Sequence, residues 1–337
     1  MPRAAEPRAK ANQSALWAGP RRHLLDLDDF TKAEIEEVLL NADGMKEVLG
    51  RGVRKTPALR GKAVVTVFFE ASTRTRVSFE QAGKILGADV INVTASASSV
   101  TKGESLLNTV RTLQAMQIDA LVMRHPHSGA PYFVARHLDT SVVNAGDGTH
   151  AHPTQALLDI YTIERLRGKL AGKKVAIIGD ILYSRVARSD MIGFRKMGAE
   201  VVVCGPPTLL PPGFTPDSSI PEGLPYEGVR VVRRVEEAVD GADVVIVLRI
   251  QRERQDAGHL PSLREYSREY GINSARLGLA RPDALLMHPG PMNEGVDISS
   301  DVAHGSQSVI EEQVANGVAV RMALLYMLCA RARNGGS

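Results

Sequence analysis

The chain has 337 residues, enough for two domains or one large α/β domain, and its apolar content suffices for real cores. Its 41 basic residues against 38 acidic ones, with few aromatics and no basic run, argue against a dedicated nucleic-acid surface. Cys204 and Cys329 lie too far apart to imply a disulfide framework or a thiolate metal site, and no stretch approaches the roughly 18 continuous apolar residues of a membrane span, so a soluble, cytoplasmic protein is expected.

Residues 1–21 lack an apolar signal core and read as a flexible leader. Leu24 to Leu49 places Asp28, Asp29 and Thr31 ahead of an amphipathic run (Ile35, Val38, Leu39, Met45, Val48, Leu49), which predicts a helix. Residues 63–69 are apolar and β-branched without polar alternation, the signature of a strand buried on both faces. The texture then changes: Ala71-Ser72-Thr73 suits a helix N-cap, and Val77, Phe79, Gln81, Ala82, Ile85 and Leu86 follow at helical spacing. Hydroxyls and the guanidinium groups of Arg74 and Arg76 are thus bunched where a helix offers unpaired N–H groups. Cations in a first turn oppose the helix dipole, a cost that makes sense if an anion sits between them. There is no Walker lysine and no GxGxxG loop, so the segment reads as an anion socket and not as a nucleotide site.

A strand at 88–93 leads into a Ser/Ala/Thr-rich loop that ends in Lys102-Gly103-Glu104-Ser105, before a helix with Leu106, Leu107, Val110, Leu113 and Met116. Strands at 119–123 and 141–144, with a helix at 131–138 between them, complete a first βα run. A helix from about Gln155 to Arg167 precedes a second series, with strands expected at 174–178, 200–204, 229–232, 243–248 and 284–287. A final amphipathic helix covers about 308–332. This alternation predicts an α/β fold of two domains, each a parallel β-sheet flanked by helices, the last helix returning to the first domain.

In parallel sheets, ligands gather beyond the carboxyl ends of strands. Polar clusters fall at those places: Ser72 to Arg76, Arg124-His125, His152 to Gln155, Asp180 to Arg185, Arg249 to Gln251, and His288 to Pro291. His150 and His152 have no carboxylate or cysteine partner at metal-ligand spacing, Gly179-Asp180-Ile181-Leu182 lacks the glycines of a dinucleotide loop, and there is no GxSxG elbow. What remains is rich in arginine, hydroxyl, imidazole and amide donors, suited to strongly anionic ligands and to charge developing on oxygen.

The motifs Phe68-Phe69-Glu70-Ala71-Ser72-Thr73-Arg74-Thr75-Arg76, Met123-Arg124-His125-Pro126, Asn144 to Gly148, His152-Pro153-Thr154-Gln155, Arg249-Ile250-Gln251 and His288-Pro289-Gly290-Pro291 together resemble the aspartate branch of the aspartate/ornithine carbamoyltransferase family, in the right order from about residue 22 to 332. The Ser-Thr-Arg-Thr-Arg segment is common to both branches. Met-Arg-His-Pro, His-Pro-Thr-Gln and His-Pro-Gly-Pro point to the aspartate branch, because ornithine enzymes typically show a cysteine in the last two of these places and an amino-group-binding acid motif not seen here.

The resemblance implies transfer of a carbamoyl group from carbamoyl phosphate to L-aspartate, the committed step of pyrimidine biosynthesis, with no metal and no organic cofactor. It implies a carbamoyl phosphate domain of residues 22–153 plus 306–333 and an aspartate domain of 154–305. Carbamoyl phosphate would be held by Ser72, Thr73, Arg74, Thr75, Arg124, His152, Gln155, Pro289 and Gly290, and aspartate by Lys102, Arg185, Arg249 and Gln251. Catalysis would fall to Arg74, Lys102, Arg124 and His152. Ser98 and Lys102 would reach into the site of a neighbouring subunit of a homotrimer. Three assemblies stay open: the trimer alone, with a regulatory chain, or docked with a dihydroorotase. Another amine acceptor such as ornithine, and a non-catalytic anion-binding paralogue, are the competing readings. One departure stands out: Glu294 occupies a place where this branch commonly has an arginine, which affects the charge of the loop after Gly290.

Overall fold

The computed structural model describes residues 21–94, 105–251, 254 and 262–330. The expected positions Ser98 and Lys102, the leader 1–20 and the last two residues of the expected final helix lie outside them.

The first sheet has strand order β2-β1-β3-β4, with β1 at Ala63–Phe68, β2 at Asp89–Thr94, β3 at Ala120–His125 and β4 at Ser141–Asp147, all parallel. The unbroken apolar texture of β1 follows from cover on both faces. Val64 and Phe68 face one core with Phe79, Ala82 and Ile85 of helix α2 (Thr73–Ile85). Val65 and Val67 face another, with Val110 and Leu113 of α3 (Leu106–Ala115) and Val134 of α4 (Ala130–Ala135).

The second sheet has the order β10-β9-β5-β6-β8-β7. It contains β5 (Lys174–Ile178), β6 (Glu200–Cys204), β8 (Arg230–Val232), β9 (Val244–Val247) and β10 (Leu285–Met287). These pair in parallel, and the two-residue β7 (Ser218–Ser219) pairs antiparallel to β8. Its faces alternate in the same way: Val175 and Ile177 join the core that includes the first sheet, whereas Ala176 and Ile178 pack with Val235, Ala238 and Val239 of α7 (Val235–Val239).

Two helices join the sheets. In α5 (Pro153–Arg167) every residue from Pro153 to Ile163 is buried, as a helix enclosed on all sides must be. The final helix α11 (Ile310–Cys329) packs against α2, α5 and α1 (Lys32–Leu49). Full burial of side chains such as Leu157, Ile160 and Leu324 contributes about 1.5–3 kcal/mol each. Leu24 lies outside the first helix and bridges to Val143 at the sheet edge. The helix starts only after Thr31, whose hydroxyl accepts from the Glu34 N–H while the Glu34 carboxylate accepts from Thr31 N–H at 2.7 Å. That capping box fixes the start at Lys32, directly after the Asp28, Asp29 and Thr31 that the sequence places ahead of the amphipathic run. The short helices α7, α8 (Leu263–Tyr270), α9 (Ser274–Leu277) and α10 (Ser300–Ala303) have too few turns to show a period in the sequence.

Candidate active site

The carboxyl ends of both sheets open on one cleft of about 440 Å³. Three helices begin there: α2 after Ser72, α5 after His152, and α6 (Arg185–Lys196) after Ser184. Ser184 caps its helix in the usual way, accepting from the Ala187 N–H at 3.2 Å. Ser72 does not cap with its side chain, so its hydroxyl and the first-turn N–H groups of α2 face the cleft uncommitted to each other. Thr73, Arg74, Thr75 and Ser78 continue this wall. Arg76 does not line it, so the expectation of an anion between two arginines narrows to Arg74 alone.

Charge in the cleft is strongly one-sided. Arg74, Arg124, Arg185, Arg249, Arg254 and Arg321 line it, and among the described lining residues Glu70 is the one carboxylate. Glu70 Oε1 accepts from Arg124 Nη2 at 2.6 Å and Arg254 Nη2 at 3.2 Å, and also from Arg185 Nη2. One carboxylate therefore ties the end of β3 to two arginines that follow strands of the second sheet. Much donor capacity is left over: Arg124 Nε and Arg185 Nη1 are buried without a hydrogen-bond partner among the described residues. Burial, and then the neighbouring Arg185, lowers the Arg124 pKa to about 10, against the opposing pull of Glu70.

His152 is fully enclosed. Its backbone N–H donates to Ser189 Oγ at 2.9 Å, which seats the start of α5 against α6. Desolvation, followed by Arg124, Arg321 and Arg185, holds the imidazole well below its ordinary pKa. It is therefore neutral at pH 7 and can donate one N–H without carrying charge. Linkage follows: an unfolded histidine binds a proton below about pH 6.5, the folded one does not, so this group's contribution is complete above that pH and is lost as pH falls. Chemical unfolding at pH 7, 6 and 5 should show a decline that is shallower in His152→Asn, by up to about 1.4 kcal/mol per pH unit. Identical slopes in the two proteins would contradict the neutral assignment.

On the opposite wall, Arg249 Nη2 donates to Gln251 Oε1 at 3.1 Å. Asp180 fixes this loop, accepting from Gln251 N–H at 3.0 Å and from Tyr183 N–H at 3.0 Å. At the floor, Gly290 has φ +65°, and a Cβ placed there would lie 1.9 Å from Arg74 Nη1. His288 Nδ1 accepts from the Gly290 N–H at 2.8 Å, holding the loop in that shape. Gly290→Ala should therefore push Arg74 aside and strain the backbone, lowering turnover by about 10²-fold with a weaker hold on the anionic substrate, as steady-state kinetics would read. An unchanged Michaelis constant and turnover would show that Arg74 need not lie there.

Ser72, Thr73, Arg74, Thr75, Arg124, His152, Gln155, Arg185, Arg249, Gln251, Pro289 and Gly290 all line this one cleft, while Ser98 and Lys102 lie outside the described residues. Sequence reasoning had no place for Glu70, Arg254 or Arg321. Glu70 has the wrong sign for an anion site, and Arg254 sits in a charge run that reads as solvated surface. Arg321 did carry a signal, as a lone arginine within the apolar stretch from Val318 to Leu325; it is 4% exposed and donates to Ser78 Oγ at 3.0 Å. Glu294 stands away from the cleft, accepting from Ser300 Oγ at 2.6 Å and contacting His304.

The family model for the aspartate/ornithine carbamoyltransferase carbamoyl-P binding domain matches residues 22–165, and that for the Asp/Orn binding domain matches 171–328. The aspartate carbamoyltransferase catalytic subunit of Roseiflexus castenholzii is 59% identical over 308 residues, covering 91% of this chain and 95% of the relative. That of Heliobacterium modesticaldum is 53% identical over 318 residues, covering 94% and 99%. Among solved structures, aspartate transcarbamoylase from Trypanosoma cruzi in complex with carbamoyl phosphate and aspartate superimposes with a TM-score of 0.82 at 29% identity, covering 93% of this chain and 98% of that one. Ornithine carbamoyltransferase from Pyrococcus furiosus gives 0.80 at 29% identity, covering 91% and 97%. The two branches are thus nearly equal in shape, and the distinction between acceptors rests on sequence.

Proposed function

The chain belongs to the aspartate/ornithine carbamoyltransferase family and transfers the carbamoyl group of carbamoyl phosphate to L-aspartate in pyrimidine biosynthesis, and from that premise we propose how its residues divide the work. The observation that carries the proposal is the cleft itself: a helix N-terminus with hydroxyls and Arg74 on one wall, Arg185 and Arg249 on the other.

Carbamoyl phosphate occupies the α2 wall. Its phosphate takes donors from Ser72, Thr73, Arg74 and Thr75, as anions do at helix N-termini. Arg124 spans phosphate and carbonyl oxygen, and neutral His152 donates to that oxygen. Gln155 and the carbonyls of Pro289 and Gly290 accept from the carbamoyl NH2. Arg185 and Arg249, with Gln251, clamp the two carboxylates of aspartate through guanidinium forks. The neutral amine then adds to the carbamoyl carbon, and the carbonyl π pair moves to oxygen, where Arg124 and His152 stabilise it. Collapse re-forms the carbonyl and expels phosphate, which takes the proton the amine sheds. Alignment of two bound reactants supplies much of the acceleration.

Ser98 and Lys102, the latter shared between aspartate binding and catalysis, complete the site of the next subunit in a homotrimer. The carbamoyl phosphate domain spans residues 22–153 plus 306–333 and the aspartate domain 154–305, the protein works in the cytoplasm, and a regulatory chain or dihydroorotase is a further partner to test for by co-purification. Mixing Lys102→Ala chains with Arg74→Ala chains tests the shared site: hybrids should regain activity that neither parent has, and inactive mixed trimers would overturn it.

A further inference from the structure

Behind the cleft lies a buried polar relay that none of the roles above uses. Asp159, on the buried face of α5, is fully enclosed. Its Oδ1 accepts from Gln313 Nε2 at 2.7 Å and from Gln155 Nε2 at 3.1 Å, and its Oδ2 lies 3.2 Å from the same Gln155 nitrogen. Gln313 is itself oriented, because its Oε1 accepts from the His288 backbone N–H at 2.9 Å. Its amide nitrogen must therefore donate to Asp159, which makes Oδ1 an acceptor whatever else happens. A second buried carboxylate, Asp190, has both oxygens without a hydrogen-bond partner among the described residues. Burial and the neighbouring Asp159 push Asp190 well above the usual carboxylate range, so Asp190 holds the proton of the pair. Burial raises the Asp159 carboxyl to about 7, against the opposing pull of the Gln313 and Gln155 amides and the Arg321 charge, and those two amide donors make it the acceptor of the pair.

An isolated glutamine amide can turn over at little cost, exchanging its donor and acceptor ends. Facing a buried acceptor, it cannot. We propose that Asp159 is a positioning residue: it holds the Gln155 side chain with nitrogen inward and carbonyl oxygen toward the cleft, so that the site selects an acyl phosphate whose acyl group bears N–H donors. The inference rests on the proposed role of Gln155 and deepens it.

The test uses two ligands of equal charge and nearly equal shape, carbamoyl phosphate and acetyl phosphate, the second having CH3 where the first has NH2. Their dissociation constants are measured on the full-length wild type, Asp159→Asn, Gln155→Ala and the double variant. Wild type should favour carbamoyl phosphate by roughly 10- to 100-fold, the cost of leaving a buried acceptor unmet. Asparagine keeps the volume of Asp159 but offers Gln155 a donor as well as an acceptor, so the amide can invert. The preference should then shrink to within about 3-fold, with acetyl phosphate binding little changed. In the Gln155→Ala background the same substitution should leave the ratio unaltered, since a group acting through Gln155 has nothing left to act on.

A wild-type ratio in Asp159→Asn, with Gln155→Ala collapsing it, would overturn the inference and spare the role of Gln155. A ratio insensitive to Gln155→Ala would remove both. Loss of both affinities in parallel would assign Asp159 a structural role only. Should Asp159→Asn not fold, Gln313→Met removes the donor that commits Oδ1 to accepting, so the buried carboxyl can take up a proton and donate to Gln155; the ratio should narrow in the same direction, and an unchanged ratio there would overturn the inference too.

Discussion

Arg74→Ala is expected to lower turnover by about 10³-fold while leaving the melting temperature unchanged or slightly raised. The two effects come from one placement. Arg74 stands in the first turn of α2, where a cation opposes the helix dipole at a cost of about 0.3–1 kcal/mol. Burial, and then the charge of Arg249, lower its pKa further from the ordinary guanidinium value. The folded chain therefore gains nothing from this charge, and a helix relieved of it is at least as stable. The reaction does gain: negative charge accumulates on the departing phosphate, and a desolvated donor already in position costs no reorganisation as it develops. Parallel kinetics and thermal unfolding test this directly. A variant that is both slow and markedly less stable would show that Arg74 serves the fold.

Glu70→Gln is expected to act on both properties. Its carboxylate accepts from Arg124, Arg185 and Arg254, which are 12%, 3% and 17% exposed. Neutralising it leaves three guanidinium groups turned toward one another in a poorly solvated cleft, with a penalty of about 3 kcal/mol. The link between β3 and the arginines beyond the second sheet is weakened at the same time, and loss of alignment should lower turnover by about 10²-fold. Inorganic phosphate supplies the missing negative charge, so it should raise the melting temperature of Glu70→Gln more than that of the wild type. Equal phosphate-induced shifts in the two proteins would contradict the view that Glu70 neutralises this cluster.

Much of this architecture could be read from local texture. Residues 63–69 announced a strand covered on both faces, and the abrupt change at Ala71 marked the helix start that carries the anion-facing hydroxyls. Positions after the strands were legible because parallel sheets deliver their ligand groups there: Arg74, Arg124, His152, Arg185, Arg249 and Gly290 line one cleft, although His125 and Asp180 do not. Less legible were residues whose meaning lies in a distant partner. Glu70 matters through Arg185, 115 positions away, and Asp159 through Gln313, 154 positions away. Neither spacing leaves a periodic trace. Arg76 shows the opposite error: a charge near the right helix end, counted with Arg74, that the helical turn carries away from the cleft. The short helices around the second sheet have too few turns to leave a period, whereas the first helix was legible from Thr31 and the amphipathic run behind it.

The most direct test is the initial rate of carbamoyl transfer from carbamoyl phosphate, with L-aspartate and L-ornithine offered in parallel to the wild type and to Arg249→Ala. The proposed dicarboxylate clamp predicts product with aspartate alone, and a large rise in the aspartate Michaelis constant in Arg249→Ala while carbamoyl phosphate still binds. Turnover of ornithine with aspartate ignored, or an Arg249→Ala enzyme with an unchanged aspartate constant, would contradict it.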